Sequence, residues 1–207
     1  VTAQPGETIY TAAWRAGIAI PSLCASKHLA PFGSCRLCIC EVEGQPGTPA
    51  SCTTPVREGL VVRTDSDRLT RHRRNIIELY LSEQPGEPAP VLHDLAAKLG
   101  LTKVRYASGT QRLRYRDDSN PFFSFDNESC ISCARCVRAC DEIQGTFALT
   151  IAGRGFESRP IAGAAPLVGK VPGFASSNCV SCGACVKECP TGALRDKSVL
   201  KSGLPTQ

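Results

Sequence analysis

The run Cys179-Val180-Ser181-Cys182-Gly183-Ala184-Cys185-Val186-Lys187-Glu188-Cys189-Pro190 leaves this chain few options. It reads C-x2-C-x2-C-x3-C-P, a spacing in which three thiolates hold one [4Fe–4S] cluster while the fourth ligates a second. A matching run is therefore required, and Cys130, Cys133, Cys136 and Cys140 supply it. The expected ligation is crossed. One cluster takes Cys130, Cys133, Cys136 and Cys189; the other takes Cys140, Cys179, Cys182 and Cys185.

Thirteen cysteines among 207 residues would signal a disulfide scaffold in a short secreted chain. Here the count is odd, the spacings are tight and no signal peptide opens the sequence. Thiolate clusters in a reducing cytoplasm account for the cysteines better. No apolar run approaches the roughly 18 to 20 residues of a membrane span. The formal charge of +5 treats every cysteine as neutral. Each oxidised four-thiolate cluster carries roughly −2 by oxidation-state counting, so three of them would bring the loaded protein close to neutrality. The basic balance thus reads as cluster compensation and not as nucleic-acid affinity. Arg135, Arg138 and Lys187 sit inside the ligand runs, where positive charge favours a reduced cluster; solvated surface charge is the competing reading for each. The absence of Met, the start at Val1 and the linker-like residues 201–207 suggest a trimmed or partial chain.

Upstream, Cys24, Cys35, Cys38 and Cys52 give C-x10-C-x2-C-x13-C. A loop that wraps a cluster, closed by one distant thiolate, is the logic of [2Fe–2S] ligation; a structural zinc site is the alternative. Cys40 alternates with Cys38 and reads as a small buried hydrophobe. Around these ligands, residues 1–6 read as the end of a strand and residues 8–16 as a helix stopped by Gly17. Strands at 39–43 and 59–63, with a turn at 44–47, complete a small α+β unit.

A second helix starts at 64–67, with Leu69, Ile76, Ile77, Tyr80 and Leu81 as its apolar stripe. Arg68, Arg71, Arg73 and Arg74 are expected on its solvated side. Prolines within 84–90 interrupt regular structure. Residues 92–99 read as a short helix stopped by Gly100, 111–115 as a weak strand, 145–155 as a strand and turn, and 160–173 as an apolar connector.

Four stretches carry a family likeness: Pro31-Phe32-Gly33-Ser34-Cys35-Arg36-Leu37-Cys38, Pro49-Ala50-Ser51-Cys52-Thr53-Thr54-Pro55, Gln144-Gly145-Thr146-Phe147-Ala148-Leu149-Thr150, and the Cys179–Pro190 run. On them, residues 1–83 and 100–200 resemble the iron–sulfur head of the α subunit of NAD-dependent, molybdenum- or tungsten-containing formate dehydrogenases. That head is similar in turn to the large iron–sulfur subunit of respiratory complex I and to the N-terminal part of iron hydrogenases. The resemblance implies an α+β chain in three parts. These are an N-terminal β-grasp [2Fe–2S] ferredoxin-like domain (1–65), a helical connector (66–120) and a bacterial-type 2[4Fe–4S] ferredoxin domain (121–207). It also implies a hetero-oligomeric complex in which this chain relays electrons between a metal-pterin formate site and a flavin- and NAD-binding iron–sulfur subunit. The bis-pterin molybdenum or tungsten cofactor, FMN and NAD would be carried elsewhere in that complex.

The sequence departs from the family at one site. The family holds a further [4Fe–4S] cluster with His-x3-Cys-x2-Cys-x5-Cys. Here Gln84 stands at the histidine position, no cysteine lies between Cys52 and Cys130, and His93 has no thiolate neighbours. That cluster is expected to be missing. No residue reads as catalytic toward formate, and no G-x-G-x-x-G turn is present to bind a dinucleotide. Two other functions compete: a relay subunit of a soluble NAD-reducing hydrogenase or complex I-like assembly, and a free-standing ferredoxin-type adaptor.

Overall fold

The computed structural model describes residues 1–84, 88–106, 115–163 and 173–198. The readings at 85–87, 111–114, 164–172 and 199–207 lie outside the described residues. Helix α1 (Ile9–Arg15) is bounded by local chemistry. The Thr8 hydroxyl accepts the Thr11 N–H at 3.2 Å, and Gly17 turns the chain at φ +76. Its buried face is Ile9, Ala12 and Ala13. Residues 1–6 form no strand. The Gln4 N–H is satisfied locally by the Glu7 carboxylate at 2.7 Å, and Gly6 turns the backbone at φ +81. Strands β1 (Glu41–Val42) and β2 (Val62–Arg63) pair antiparallel, with isolated bridges between Thr8 and Pro55 and between Ile39 and Ala50.

Helix α2 (Asp67–Ser82) begins at Ser66, whose hydroxyl accepts the Leu69 N–H at 3.2 Å. Its buried residues are Leu69, Arg73, Ile77, Glu78 and Ser82. The expectation of a solvated Arg73 is therefore corrected. Arg73 is 4% exposed and donates to the carbonyls of Leu37 (3.1 Å), Ile39 (2.8 Å) and Thr64 (2.9 Å). The irregular segment around Cys38 has carbonyls that no ladder satisfies, and a guanidinium with five donors supplies the missing partners. Arg68, Arg71 and Arg74 are exposed.

Glu78 is wholly shielded from solvent. Its carboxylate receives Arg105 Nε at 3.0 Å on each oxygen, Nη2 at 2.8 Å, and the Arg105 backbone N–H. This ties residues 101–106 back onto α2. The side-chain hydrogen bond from Arg105 holds the Glu78 carboxyl below its ordinary value of 4.5, against the upward push of burial. A carboxyl lowered in the folded state contributes stability that is fully present above its unfolded pKa and is lost as pH falls through the folded one. Hydrogen exchange at 101–106 should accordingly be insensitive to pH above about 5, beyond the intrinsic rate, and lose protection progressively below about 4.5. Glu78→Gln should show the unprotected behaviour already at pH 7. Identical exchange in the two proteins at neutral pH would count against the tether.

Helix α3 (Pro90–Lys98) opens on a proline, whose missing N–H is no loss at a first turn, and ends before Gly100 at φ +65. Strands β3 (Arg116–Asp117) and β4 (Phe123–Asp126) follow. Helix α4 (Arg135–Arg138) continues directly into a π-helical segment, Ala139–Gln144. Strands β5 (Leu149–Ala152) and β6 (Arg159–Ala162) form an antiparallel pair; helix α5 (Ala184–Glu188) and strand β7 (Leu194–Asp196) complete the described chain. Residues 160–162, expected in the connector, thus belong to a strand, because their backbone pairs with β5 while Ile161 and Ala162 are buried.

Two packing features position the site. The sheet β3-β4-β7 sets Phe125 opposite Leu194, so the strand that leads to Cys130 lies beside the strand that follows Cys189. A single apolar core contains Leu23, Cys24, Cys35 and Leu37 together with Ile77, Leu92, Ile131 and Cys133. The first ligand loop, the helical pair and the start of the second ligand run are therefore packed as one body.

Candidate metal centres

All thirteen cysteines are free thiols. Cys24, Cys35, Cys38 and Cys52 are each no more than 2% exposed. The Cys35 N–H donates to Cys24 Sγ at 3.3 Å, and the Leu23 N–H donates to Cys35 Sγ at 3.3 Å. Cys24 is held well below the ordinary thiol value by side-chain hydrogen bonds from Cys35 and Cys52, and Cys38 by one from Cys52. The same contacts drive Cys35 and Cys52 upward. Four buried thiols this close cannot all ionise unaided; bound iron would supply the compensating charge and release the remaining protons. The Ser51 hydroxyl, wholly buried and adjacent in sequence to Cys52, faces the Cys38 thiol and helps hold it low. Tyr80 covers the group from α2 and donates to the Cys35 carbonyl at 3.3 Å.

Cys130, Cys133, Cys136 and Cys189 line one recess, with Phe125 and Pro190 among its walls. Burial first, then the Cys130 and Cys189 thiols, push Cys133 up to about 12, and Cys136 is raised by burial and by Cys130, Cys133 and Cys189. The third group centres on Cys185, pushed to about 12 by burial and then by Cys179, Cys182 and Cys140. Thus the structure brings Cys189 to the earlier run and Cys140 to the later one. Amides face the sulfurs: Ser132 N–H to Cys130 (3.3 Å), Leu194 N–H to Cys189 (3.4 Å), Ala148 N–H to Cys140 (3.2 Å) and Ser181 N–H to Cys179 (3.4 Å). Such donors stabilise thiolate over thiol. Asn120 adds its amide between the Cys179 sulfur (3.9 Å) and the Ser181 hydroxyl (2.8 Å); nothing in the spacing of the cysteines points to it.

The two runs share a backbone device. Ser132 and Ala134 adopt φ +52 and +60, and the corresponding Ser181 and Gly183 adopt +58 and +77. A left-handed residue on each side of the middle thiol curls the chain around a centre, at about 1 to 2 kcal/mol for each non-glycine residue. Donor set, burial and amide orientation all suit iron–sulfur clusters.

Outside the three groups, Cys40 is fully buried against Ile9 and Val42, its Sγ 3.7 Å from the Pro49 carbonyl. Gln84 is 7% exposed and uses both ends of its amide: Nε2 donates to the Ser129 carbonyl (3.1 Å) and Oε1 accepts the Ala89 N–H (3.2 Å). His93 is exposed on α3, and Lys187 is exposed on α5. Arg135 and Arg138 are not solvated: both reach the 23–30 segment. No described helix is long and apolar enough to cross a membrane.

Comparison with known proteins matches residues 1–67 to a "2Fe-2S iron-sulfur cluster binding domain" and residues 129–193 to a "4Fe-4S dicluster domain". The NADPH-Fe(3+) oxidoreductase subunit alpha of Geobacter sulfurreducens is 36% identical over 163 residues, covering 75% of this chain and 19% of that protein. The NADP-reducing hydrogenase subunit HndD of Solidesulfovibrio fructosivorans is 36% identical over 201 residues, 91% of this chain and 33% of that protein. The chain thus spans between about a fifth and a third of the length of these curated relatives. In the crystal structure of an NAD+-reducing [NiFe]-hydrogenase in the H2-reduced state, one chain superposes with a TM-score of 0.84 at 33% identity. That match covers 96% of this chain and 84% of that one.

Proposed function

Because the chain belongs to the family of iron–sulfur subunits that join a 2Fe–2S domain to a 4Fe–4S dicluster domain, we propose that it is an electron relay within an NAD(P)-linked oxidoreductase complex. The observation that carries this reading is the sorting of twelve of the thirteen cysteines into three groups of four, each faced by backbone N–H donors. Clusters held there would exchange electrons one at a time. The chain itself contributes thiolates, burial that keeps water from most of the sulfur ligands, and N–H donors that set how readily each group accepts charge.

In this reading Cys24, Cys35, Cys38 and Cys52 hold a [2Fe–2S] cluster in a β-grasp-type domain at 1–65. The connector 66–120 carries no cluster, because Gln84 fills the place of a histidine ligand with a structural amide. Within 121–207, Cys130, Cys133, Cys136 and Cys189 hold one [4Fe–4S] cluster, and Cys140, Cys179, Cys182 and Cys185 hold the other. The free, closely grouped thiols suit a reducing compartment such as the cytoplasm. Analysis of iron and sulfide, paired with low-temperature EPR of the reduced protein, tests the assignment. About ten irons per chain with two-iron and four-iron signals are expected. About fourteen irons would restore the third four-iron site against this reading, and about eight without a two-iron signal would remove the N-terminal one.

The wording around Pro31–Cys38 and Gln144–Thr150 supports the finer reading that the complex is a formate dehydrogenase, with a metal-pterin site on one side and a flavin- and NAD-binding subunit on the other. The superposition over 96% of this chain favours a second reading, an NAD-reducing hydrogenase. Metal analysis of the native complex separates them: molybdenum or tungsten supports the first, nickel the second.

A further inference from the structure

Helix α4 carries Cys136 and runs into the segment that carries Cys140, and Arg138 lies between these two ligands. Its side chain is 9% exposed and points away from both runs, into the N-terminal ligand loop. Nη2 donates to the carbonyl of Cys24 at 2.8 Å and Nη1 donates to the carbonyl of Ala30, while the guanidinium lies 5.2 Å from the centroid of the Phe32 ring. Its partners among the described residues are two carbonyls and a ring, and its buried Nε–H has no acceptor. One turn earlier, Arg135 reaches the same loop at the Leu23 carbonyl (3.3 Å), but its charge is matched by Glu188 at 2.6 Å. Arg138 forms no ion pair among the described residues, and the one carboxylate that meets this loop beside it, Glu142, accepts the Ala30 N–H at 2.6 Å.

A buried charge without a counter-charge is costly unless an anion stands near. Once iron is bound, the cluster thiolates would supply negative charge on both sides of this contact. We propose that Arg138 is a positioning residue shared by the Cys24–Cys35–Cys38–Cys52 group and the Cys130–Cys133–Cys136–Cys189 group. Its two carbonyl contacts fix the loop of the first group against the helix of the second. Its charge raises the reduction potential of both. The inference rests on the relay reading, and extends it by naming what couples two of the three groups.

The test uses the iron-loaded full chain, with redox titration followed by EPR and with hydrogen exchange over residues 24–32. Arg138→Gln should retain iron and sulfide and shift the two-iron signal and one four-iron signal to more negative potentials. The second four-iron signal should move less, and amides 24–32 should lose protection. Arg138→Lys keeps the charge but lacks the planar fork. It should leave the potentials closer to the wild type while still losing exchange protection. Unchanged potentials in an iron-replete Arg138→Gln protein would overturn the proposal. Should that variant fail to hold iron, wild-type exchange in Arg138→Lys would overturn it equally. Failure of the wild-type protein to show both signal types would instead overturn the relay reading itself.

Discussion

Cys189→Ser is expected to abolish the four-iron signal that belongs to Cys130, Cys133 and Cys136, and to spare the one belonging to the run in which Cys189 itself stands. Cys189 follows Cys185 by four residues, yet its thiol acts on Cys133 and Cys136. The cause is the sheet: pairing of Phe125 with Leu194 anchors the start of one run beside the end of the other. Serine offers a poorer ligand at the same position, so iron should fall from about ten to about six per chain. The variant's spectrum should match that of Cys133→Ser and differ from that of Cys182→Ser. The opposite match would mean that each run keeps its own four thiolates, and the crossed assignment would be lost.

Arg73→Met carries the largest expected cost to stability among substitutions outside the thiols. The side chain is 4% exposed and serves three carbonyls, two of them in the segment that contains Cys38. Methionine fills the aliphatic volume but leaves the carbonyls of Leu37, Ile39 and Thr64 without donors. An unsatisfied buried carbonyl costs about 1 to 3 kcal/mol, so a total loss of about 3 to 5 kcal/mol is expected once partial relaxation is allowed. Denaturant unfolding of the loaded protein, followed through the two-iron absorbance, measures it. Arg73→Lys should recover part of the loss, since an ammonium donates but cannot span all three acceptors in a planar fork. A loss below about 1 kcal/mol in Arg73→Met would show that water replaces the guanidinium.

The same residue shows where the sequence stops being legible. Caps are local events, and Thr8, Ser66, Gly17 and Gly100 mark helix ends that the structure contains. Arg73 and Glu78 are different. Hydrophobic periodicity assigns charged residues outward, yet both lie on the buried side of α2, because their partners are carbonyls and an arginine distant in sequence. No spacing rule foresees a partner that only the fold supplies. Strands β4 and β7 were equally hidden: three or four residues are too few for alternation to register, and their pairing joins positions some seventy residues apart. The cysteine runs were legible for the converse reason. A cluster fixes the spacing of its ligands almost independently of the fold around it. What the spacing omits is the surrounding shell of Asn120, Tyr80 and Gln84, each placed by contacts of its own. Gln84 stood out only as a departure from a family pattern; its two hydrogen bonds explain how the chain closes over that position.

Exposure is unevenly shared among the three groups. Cys24, Cys35, Cys38 and Cys52 are sealed, whereas Cys182 is open to solvent. Because Cys24, Cys35 and Cys133 also share one core with the helical pair, loss of iron from either of those inner groups would loosen the packing that shelters the other. Oxygen or peroxide arriving from outside would meet the Cys182 group first. The chain would then fail as a graded series, with its outermost centre acting as the sacrificial one and the two inner centres surviving or collapsing together.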